Sequence, residues 1–222
     1  MESVSGVGVL DKAMEILVAA KSNGSLSLID IQLLTGQPRA TAHRLAVALE
    51  THGLLRRCDD GRFMLGLGLI ALGDAAAASF PLSIAARPVL ERLRADTGES
   101  VQLYVREGQM RRCVVSLQSP HGLRWIVPEG AVLPLDRGSA GHALVGEVPV
   151  GEAPVGSGGW VESIEERESG VAGVSAAVTD RAGAIVAAVS VSGPLERMSA
   201  HPGERFGIAV VAAAKQIGEL AR

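Results

Sequence analysis

The chain has 222 residues, of which 47% are hydrophobic, 20% are charged and only 3% are aromatic, and its formal net charge at pH 7 is −3. This composition excludes a wholly disordered chain, a uniformly basic polyanion binder and a single-strand binder that stacks bases on aromatic rings. Two distant cysteines and five scattered histidines show neither a disulfide framework nor a metal-ligand spacing. Since no signal peptide or membrane-spanning pattern is visible, we expect a cytoplasmic protein with no membrane partner, no metal and no cofactor.

The first predicted element is a helix over Leu10–Lys21, which the Asn23-Gly24 pair ends. Apolar residues recur along it at helical spacing, so one face can pack on the elements that follow. The residues predicted on that inward face are Leu10, Ala13, Met14, Leu17 and Val18.

Two helices joined by a tight turn are predicted between residues 27 and 50. Gly36 can end the first helix in the left-handed conformation, and Pro38 suits the start of the second. Apolar residues of the second helix are predicted to face inward: Ala42, Leu45, Ala46 and Leu49. Because a helix in the major groove contacts bases mainly through its N-terminal residues, the first turns predict a DNA-contacting set: Arg39, Ala40, Thr41, His43 and Arg44.

A β-hairpin follows, with strands over Leu54–Arg57 and Arg62–Leu65 and an Asp-Gly turn between them. Its three arginines are placed as in a wing that lies along a phosphate backbone: Arg56, Arg57 and Arg62. An ordinary surface helical hairpin is the alternative, but three elements in this order favour a winged helix-turn-helix on double-stranded DNA. The arginine patch is modest for a chain of net negative charge, which predicts that two or more copies bind together.

An alanine-rich helix is predicted over residues 67–79. We interpret residues 67–81 as the link between a DNA-binding domain, residues 1–66, and a second domain, residues 82–222. The apolar faces of this helix suggest contact with a partner chain, so we expect at least a homodimer that pairs through the first helix and the 67–79 helix. The residues that offer this seam are Leu69, Ile70 and Leu72.

The second domain is predicted to combine helices with an antiparallel sheet, which makes the whole chain α+β. Its helices are expected over Ile84–Thr97, Gly138–Val145 and Pro202–Ala221. Its strands are expected over Ser100–Arg106, Arg111–Leu117, Leu123–Val127, Val171–Val178 and Gly183–Ser192. The inward residues expected on the first and last helices are Ile84, Val89, Leu90, Leu93, Phe206, Val210, Ala213, Ile217 and Leu220.

Six short motifs, split between the two predicted domains, occur in order along the chain: Gly8-Val9-Leu10-Asp11-Lys12-Ala13, Thr41-Ala42-His43-Arg44-Leu45, Gly61-Arg62-Phe63-Met64-Leu65-Gly66, Gly138-Ser139-Ala140-Gly141-His142-Ala143, Glu165-Glu166 with Gly170-Val171, and Val189-Ser190-Val191-Ser192-Gly193-Pro194. Together they make nearly the whole chain resemble the IclR family of bacterial transcription regulators. The N-terminus and Thr97-Gly98-Glu99-Ser100 are similar to an actinobacterial branch of that family. The resemblance implies an N-terminal winged helix-turn-helix, a C-terminal GAF-like α/β effector-binding domain, and dimers or tetramers on promoter DNA.

The resemblance also implies where a small effector binds. In the family, small carboxylates lie over the loop before the short helix, held by backbone N–H groups at positions that fall here on Ser139 and Ala140. A glycine-bearing loop that opens a helix offers N–H donors to an anion, although the glycines can also serve a tight turn alone. Ser190 and Ser192 match too, and alternate residues of a strand share one face, which points either into a cavity or into solvent. We therefore expect a carboxylate or amino-acid effector.

Two positions of the implied effector site depart from the family pattern. Ser163 stands where some members have an acidic residue, and Gly173 stands where some have a cysteine. The glycine- and proline-rich stretch 146–159 replaces about two helices of the family, which indicates a shortened pocket lid. A constitutive repressor whose second domain only oligomerises is therefore an alternative. A small-molecule enzyme is a remote one, because no catalytic residue, nucleophile elbow or phosphate loop is visible.

Overall fold

The computed structural model describes residues 7–78, 80–146 and 159–221. The chain divides into two compact units, Met1–Ser79 and Phe80–Arg222. A helix-turn-helix unit is followed by a unit that mixes helices and strands, which confirms the predicted fold class. The predicted domain limits at residues 66 and 82 stay a prediction, and most of the 146–159 stretch lies outside the described residues.

The first unit has its core where three helices meet the hairpin. Its elements are α1 (Gly8–Asn23), α2 (Leu28–Thr35), α3 (Arg39–Thr51), β1 (Leu55–Arg57), β2 (Phe63–Leu65) and α4 (Gly68–Ala78). The inward residues predicted for α3 are all buried. α2 begins at a capping box, in which the Ser27 and Asp30 side chains each accept from the other residue's backbone N–H. It ends at Gly36, which is left-handed as predicted.

α1 packs through a different face from the predicted one. Ile16 and Ala20 are buried, and Ala13 and Leu17 pack beside them at spacings of three and four residues. The prediction that Leu10, Met14 and Val18 face inward is wrong, because these side chains are 52%, 49% and 56% exposed. α1 carries two neighbouring apolar stripes, and helical periodicity alone does not tell which of them meets the core.

The second unit is built on one six-stranded sheet in which every neighbouring pair is antiparallel. Its elements are α5 (Pro81–Thr97), β3 (Ser100–Glu107), β4 (Met110–Leu117), β5 (Val132–Pro134), α6 (Ser139–Val145), β6 (Val161–Ile164), β7 (Val171–Thr179), β8 (Ile185–Pro194), α7 (Leu195–Met198) and α8 (Pro202–Leu220). The strand order is β5-β4-β3-β8-β7-β6. Apolar residues of one sheet face pack with α5 and α8, and those of the other face pack with α6.

The strand predicted over Leu123–Val127 does not form. The Trp125 carbonyl accepts instead from the Ser100 hydroxyl at 2.7 Å, and Arg124 donates to the carbonyls of His121 and Gly122. In this segment, backbone carbonyls are therefore bonded by side-chain donors and not by the backbone N–H groups of a neighbouring strand. Two short edge strands, β5 and β6, were not predicted, and β5 ends in a proline, which is tolerated at a sheet edge.

The flanking helices differ from their predictions at their ends. α5 begins at Pro81, and its inward stripe runs through Ala86, Val89, Leu90 and Leu93. Ile84 lies two positions before Ala86, which places the two side chains about 200° apart around the helix. Ile84 is therefore 64% exposed, and its prediction as an inward residue is wrong. Leu220 in the last turn of α8 is also exposed, at 46%, so its prediction as an inward residue is wrong.

Within the part of the chain that the structure describes, no single helix is long and apolar enough to cross a membrane. The consecutive helices Gly68–Ala76 and Pro81–Thr97 reach that length and composition only when their residues are counted together. Among the same residues, no group of three or more histidine, cysteine, aspartate or glutamate side chains could hold a metal ion.

Candidate DNA interface and ligand cavity

The start of α3 presents a cluster of exposed polar side chains. Pro38 lies just before the helix, and Arg39, His43 and Arg44 are exposed on its first turns, with Thr41 half-buried. The structure also exposes Ala40. Within the described residues neither Arg39 nor Arg44 has an ion-pair partner, so both guanidinium groups are open to an anionic partner.

The three wing arginines differ in what they contact. Arg56 is exposed and forms no ion pair among the described residues. Arg57 donates to Glu50 at 3.2 and 3.3 Å, and its guanidinium lies 4.3 Å from the centre of the Phe63 ring. Arg57 is therefore held by contacts within its own unit, whereas the Arg56 guanidinium is available to bind an anionic partner.

Arg62 ties the wing to the start of α2. Its guanidinium donates to the Ser25 carbonyl at 2.8 Å, to the Ser25 hydroxyl at 3.1 Å and to the Asp30 carboxylate at 3.0 Å. The pKa of Asp30 is lowered from its ordinary value, chiefly by the backbone N–H of Ser27 and, to a smaller extent, by Arg62. From the sequence, all three wing arginines were assigned the same phosphate-binding role, because their spacing in the chain does not show which of them have partners within the protein.

All six residues predicted to bind an effector line one cavity beside the sheet: Ser139, Ala140, Ser163, Gly173, Ser190 and Ser192. The cavity has a volume of about 50 Å³, which is room for a few water molecules. Its other charged and aromatic lining residues are Tyr104, Arg111, Trp125, Glu166, Arg167 and Glu168. Sequence reasoning did not predict these last six as site residues.

The backbone at the start of α6 already has acceptors. The Gly138 N–H donates to a Glu166 carboxylate oxygen at 2.8 Å, and the Ser139 N–H donates to the Ser163 hydroxyl at 3.0 Å. The other Glu166 oxygen lies 2.8 Å from Nε2 of His142. Of the two amides predicted to hold a carboxylate, the one on Ser139 is thus occupied within the protein, and a Glu166 carboxylate lies beside it.

The two predicted strand serines lie on the cavity face of β8 but differ in their partners. Ser192 donates to the Gln102 side-chain oxygen at 2.9 Å. For the Ser190 hydroxyl the described residues supply no side-chain partner. Opposite them Gly173 pairs with Ser192, and a Cβ there would lie 3.2 Å from the Ser139 hydroxyl oxygen. The glycine therefore leaves room beside Ser139.

Arg111 is a buried cation on the wall of this cavity. Only 2% of the residue is exposed, and one guanidinium nitrogen donates to the carbonyls of Pro134 and Arg137. Burial lowers the pKa of Arg111 and raises the pKa of the neighbouring Tyr104. A signal for Arg111 was present in the sequence, because it alternates with the buried Cys113 along β4, and an arginine on a buried strand face is uncommon.

Comparison with known proteins identifies both units. The model of the IclR helix-turn-helix domain matches residues 9–59. The model of the bacterial transcriptional regulator IclR C-terminal domain matches residues 74–152 and 154–219. The chain is also 26% identical over 229 residues to the transcriptional repressor IclR of Escherichia coli K12, and this alignment covers 89% of the chain and 84% of that repressor.

Two solved structures share the fold of the chain. The crystal structure of the Thermotoga maritima IclR is 22% identical, has a TM-score of 0.78 and covers 95% of this chain and 97% of that one. An IclR homologue from Microbacterium hydrocarbonoxydans, crystallised with 4-hydroxybenzoate, is 21% identical, has a TM-score of 0.73 and covers 96% and 100%.

The different partners of the wing arginines generate a prediction about stability. Arg62→Ala should lower the thermal unfolding midpoint of the helix-turn-helix unit, because it removes the hydrogen bonds that join the wing to the start of α2. Arg56→Ala is the matched control and should leave the midpoint unchanged. Calorimetry on both variants without DNA checks this, and equal midpoints for Arg62→Ala and the unaltered protein would contradict it.

Proposed function

Since the chain belongs to the IclR family of bacterial transcriptional regulators, we propose that it binds promoter operators as an oligomer and responds to a small carboxylate or amino-acid metabolite. As a member of this family, it is a DNA-binding transcriptional regulator. The observation that carries the operator proposal is the pair of exposed, unpaired arginines at the start of α3. The family acts in transcription, so no enzymatic role is proposed, and the proposed compartment is the cytoplasm, where bacterial promoters lie.

The proposed DNA contacts divide between base edges and phosphates. α3 is the recognition helix, and the residues of its first turns read the major groove: Arg39, Ala40, Thr41, His43 and Arg44. Arg56 is the wing residue best placed to bind a phosphate, because its guanidinium has no other described partner. Phosphate contacts by Arg57 and Arg62 stay predictions, and each would compete with the contacts that these residues make to their own domain.

Substitution of one arginine from each group separates the two kinds of contact. Arg44→Ala should cost about 1–3 kcal/mol of affinity for a selected operator, with a smaller loss on scrambled DNA, because a bidentate base contact is sequence-specific. Arg56→Ala should weaken binding to both DNAs alike and lower the salt slope by about one. Fragments selected from the source genome and a scrambled duplex of equal length serve as probes in mobility-shift titrations. Equal effects of the two variants on both duplexes would contradict the division.

Oligomer formation is supported by two apolar surfaces of the first unit. On α1, Leu10, Met14 and Val18 form an exposed stripe. On α4, Ile70 and Leu72 are 59% and 61% exposed. Contiguous apolar surface on a folded unit commonly marks a contact with another chain. We propose that these two helices pair the copies, which lets two modest arginine patches act on adjacent half-sites.

The pairing surface is tested by placing charges on it. Met14→Glu and Ile70→Glu should shift the protein toward monomer at micromolar concentration, because each buries a carboxylate in the proposed apolar seam. Leu33→Glu is the matched control, since Leu33 is 79% exposed on α2 of the same unit and lies outside the seam. Light scattering coupled to size exclusion measures the mass. An unchanged oligomer in both seam variants would rule out this surface.

The effector proposal rests on the convergence on one cavity of the six residues at the positions that the family resemblance marks. The solved homologue bound to 4-hydroxybenzoate, a carboxylate, supports a carboxylate ligand for this chain as well. The ligand would change operator affinity only by binding the free and DNA-bound conformations unequally. We propose Ser190 as the hydroxyl that meets the ligand directly, and Ser192 as one that must first leave Gln102.

The two serines give the test of this proposal. Ser190→Ala should lower the affinity for a carboxylate ligand about 10- to 100-fold, the effect of one hydrogen bond to a charged group. Ser192→Ala should have the smaller effect, because its hydroxyl already has an acceptor. Calorimetric titration with organic acids and amino acids, read in parallel by release of DNA, measures both. Unchanged affinity in both variants would mean that the cavity is not the site, and the absence of any ligand would favour the constitutive repressor.

A further inference from the structure

Arg111 is a buried cation without a buried anion. None of its nitrogens lies within 4.0 Å of a carboxylate oxygen of a described residue. Its Nε is buried and has no hydrogen-bond partner among those residues, while another nitrogen of the guanidinium is saturated by two carbonyls. A buried charge is costly unless it is paired, so this arrangement calls for an anion. The cavity that Arg111 lines is where such an anion can enter.

The same cavity already contains a carboxylate that belongs to the protein. Glu166 accepts from the Gly138 N–H and contacts His142, both at 2.8 Å. Its side chain remains 33% exposed, so it can turn into solvent without a burial cost. The turn that carries it is held independently, because Glu165 accepts from the Gly170 N–H at 2.7 Å. Glu166 is thus a removable group at the position where a ligand carboxylate would meet the backbone.

We propose that an effector carboxylate pairs with Arg111 and replaces Glu166 on the Gly138 N–H, so that Glu166 is an internal competitor of the effector. This rests on the proposed function, because it takes the cavity to be the effector site. The exchange also accounts for the small volume: about 50 Å³ holds a few waters, and departure of Glu166 enlarges it by the volume of a carboxylate group. Arg167, which lies 5.0 Å from the Trp125 ring centre, adds a second cation to the wall.

Pairs of short monocarboxylates and their neutral amides, from acetate and acetamide to butyrate and butyramide, are suitable probes. Each pair differs in charge but hardly in shape. Titration calorimetry on the full chain should show that Glu166→Gln raises carboxylate affinity about fivefold or more and amide affinity by less, because a neutral acceptor holds the Gly138 N–H more weakly than a carboxylate does and only the carboxylate also pairs with Arg111. Glu168→Gln is the matched control, since it removes the same charge from another residue of the cavity wall.

Arg111 is tested with the same probes. Arg111→Gln should lower carboxylate affinity more than about tenfold. Arg111 also holds two carbonyls, so that variant can fail to fold. Arg111→Lys is then the substitute: it keeps the charge, so it should lower the carboxylate affinity without abolishing binding. Retention of full carboxylate affinity by a folded Arg111 variant would overturn the pairing.

The outcomes separate this inference from the proposed function. If carboxylates bind the unaltered protein and Glu166→Gln does not raise their affinity, or Glu168→Gln raises it equally, then Glu166 is no competitor while the effector site stands. If no carboxylate binds the unaltered protein, Glu166→Gln or Glu168→Gln, the effector function at this cavity fails together with the inference. Binding to Glu166→Gln alone would support the displacement most directly.

Discussion

The contact of the Arg111 guanidinium with two carbonyls holds the segment before α6 against the sheet, and the shape of the cavity depends on that contact. α6 can come this close only because residue 141 is a glycine: a Cβ there would lie 2.1 Å from the Leu135 carbonyl oxygen and 2.4 Å from the Arg111 guanidinium. The close approach brings Ser139 within 2.8 Å of the Ser175 hydroxyl on β7. The buried Arg111 and the absence of a side chain at Gly141 together place the start of α6 over the serine side chains of β7 and β8.

In the first unit the comparable constraint is the link between the wing and α2. Phe63 exchanges backbone hydrogen bonds with Leu26 at 2.7 Å in both directions, which extends the two-stranded wing by one bridge. Arg62 joins the same region through Ser25 and Asp30. The wing is therefore positioned by the Leu26–Phe63 bridge and by the hydrogen bonds of Arg62 to Ser25, just before α2, and to Asp30, in the first turn of α2. A fixed wing keeps Arg56 in a constant position relative to the start of α3, as the proposed contact of both with one DNA duplex requires.

Local chemistry made much of this predictable. Gly36, the Asp-Gly turn and the apolar runs of β7 and β8 act over a few neighbours, so the helix-turn-helix, the hairpin and most strands followed from the sequence. What depends on distant partners did not follow. Which stripe of α1 meets the core is settled by the other helices and the hairpin, and Arg62 finds its partners 32 and 37 residues away. The contacts of Arg57 and Arg124 to residues two to seven positions away did not follow either, because the spacing of residues does not show which side chains meet. The six predicted cavity residues were placed by their positions in the family pattern, whereas Arg111 and Glu166 needed the fold to bring them together.

Both units contain charged side chains that are paired within the protein and arginines that are not. Arg57, Arg62 and Glu166 form hydrogen bonds within the protein. Arg57 stabilises the wing, Arg62 the capped start of α2, and Glu166 the start of α6. Among the described residues, the arginines without an ion-pair partner include Arg39 and Arg44 at the start of α3, Arg56 on the wing and Arg111 beside the cavity. An exposed unpaired arginine costs little, since water solvates it, but a buried one does not have that compensation. Arg111, which is only 2% exposed, is therefore the arginine of this set for which an absent anion is most costly, and this cost is the physical reason for the anion proposed in the cavity beside it.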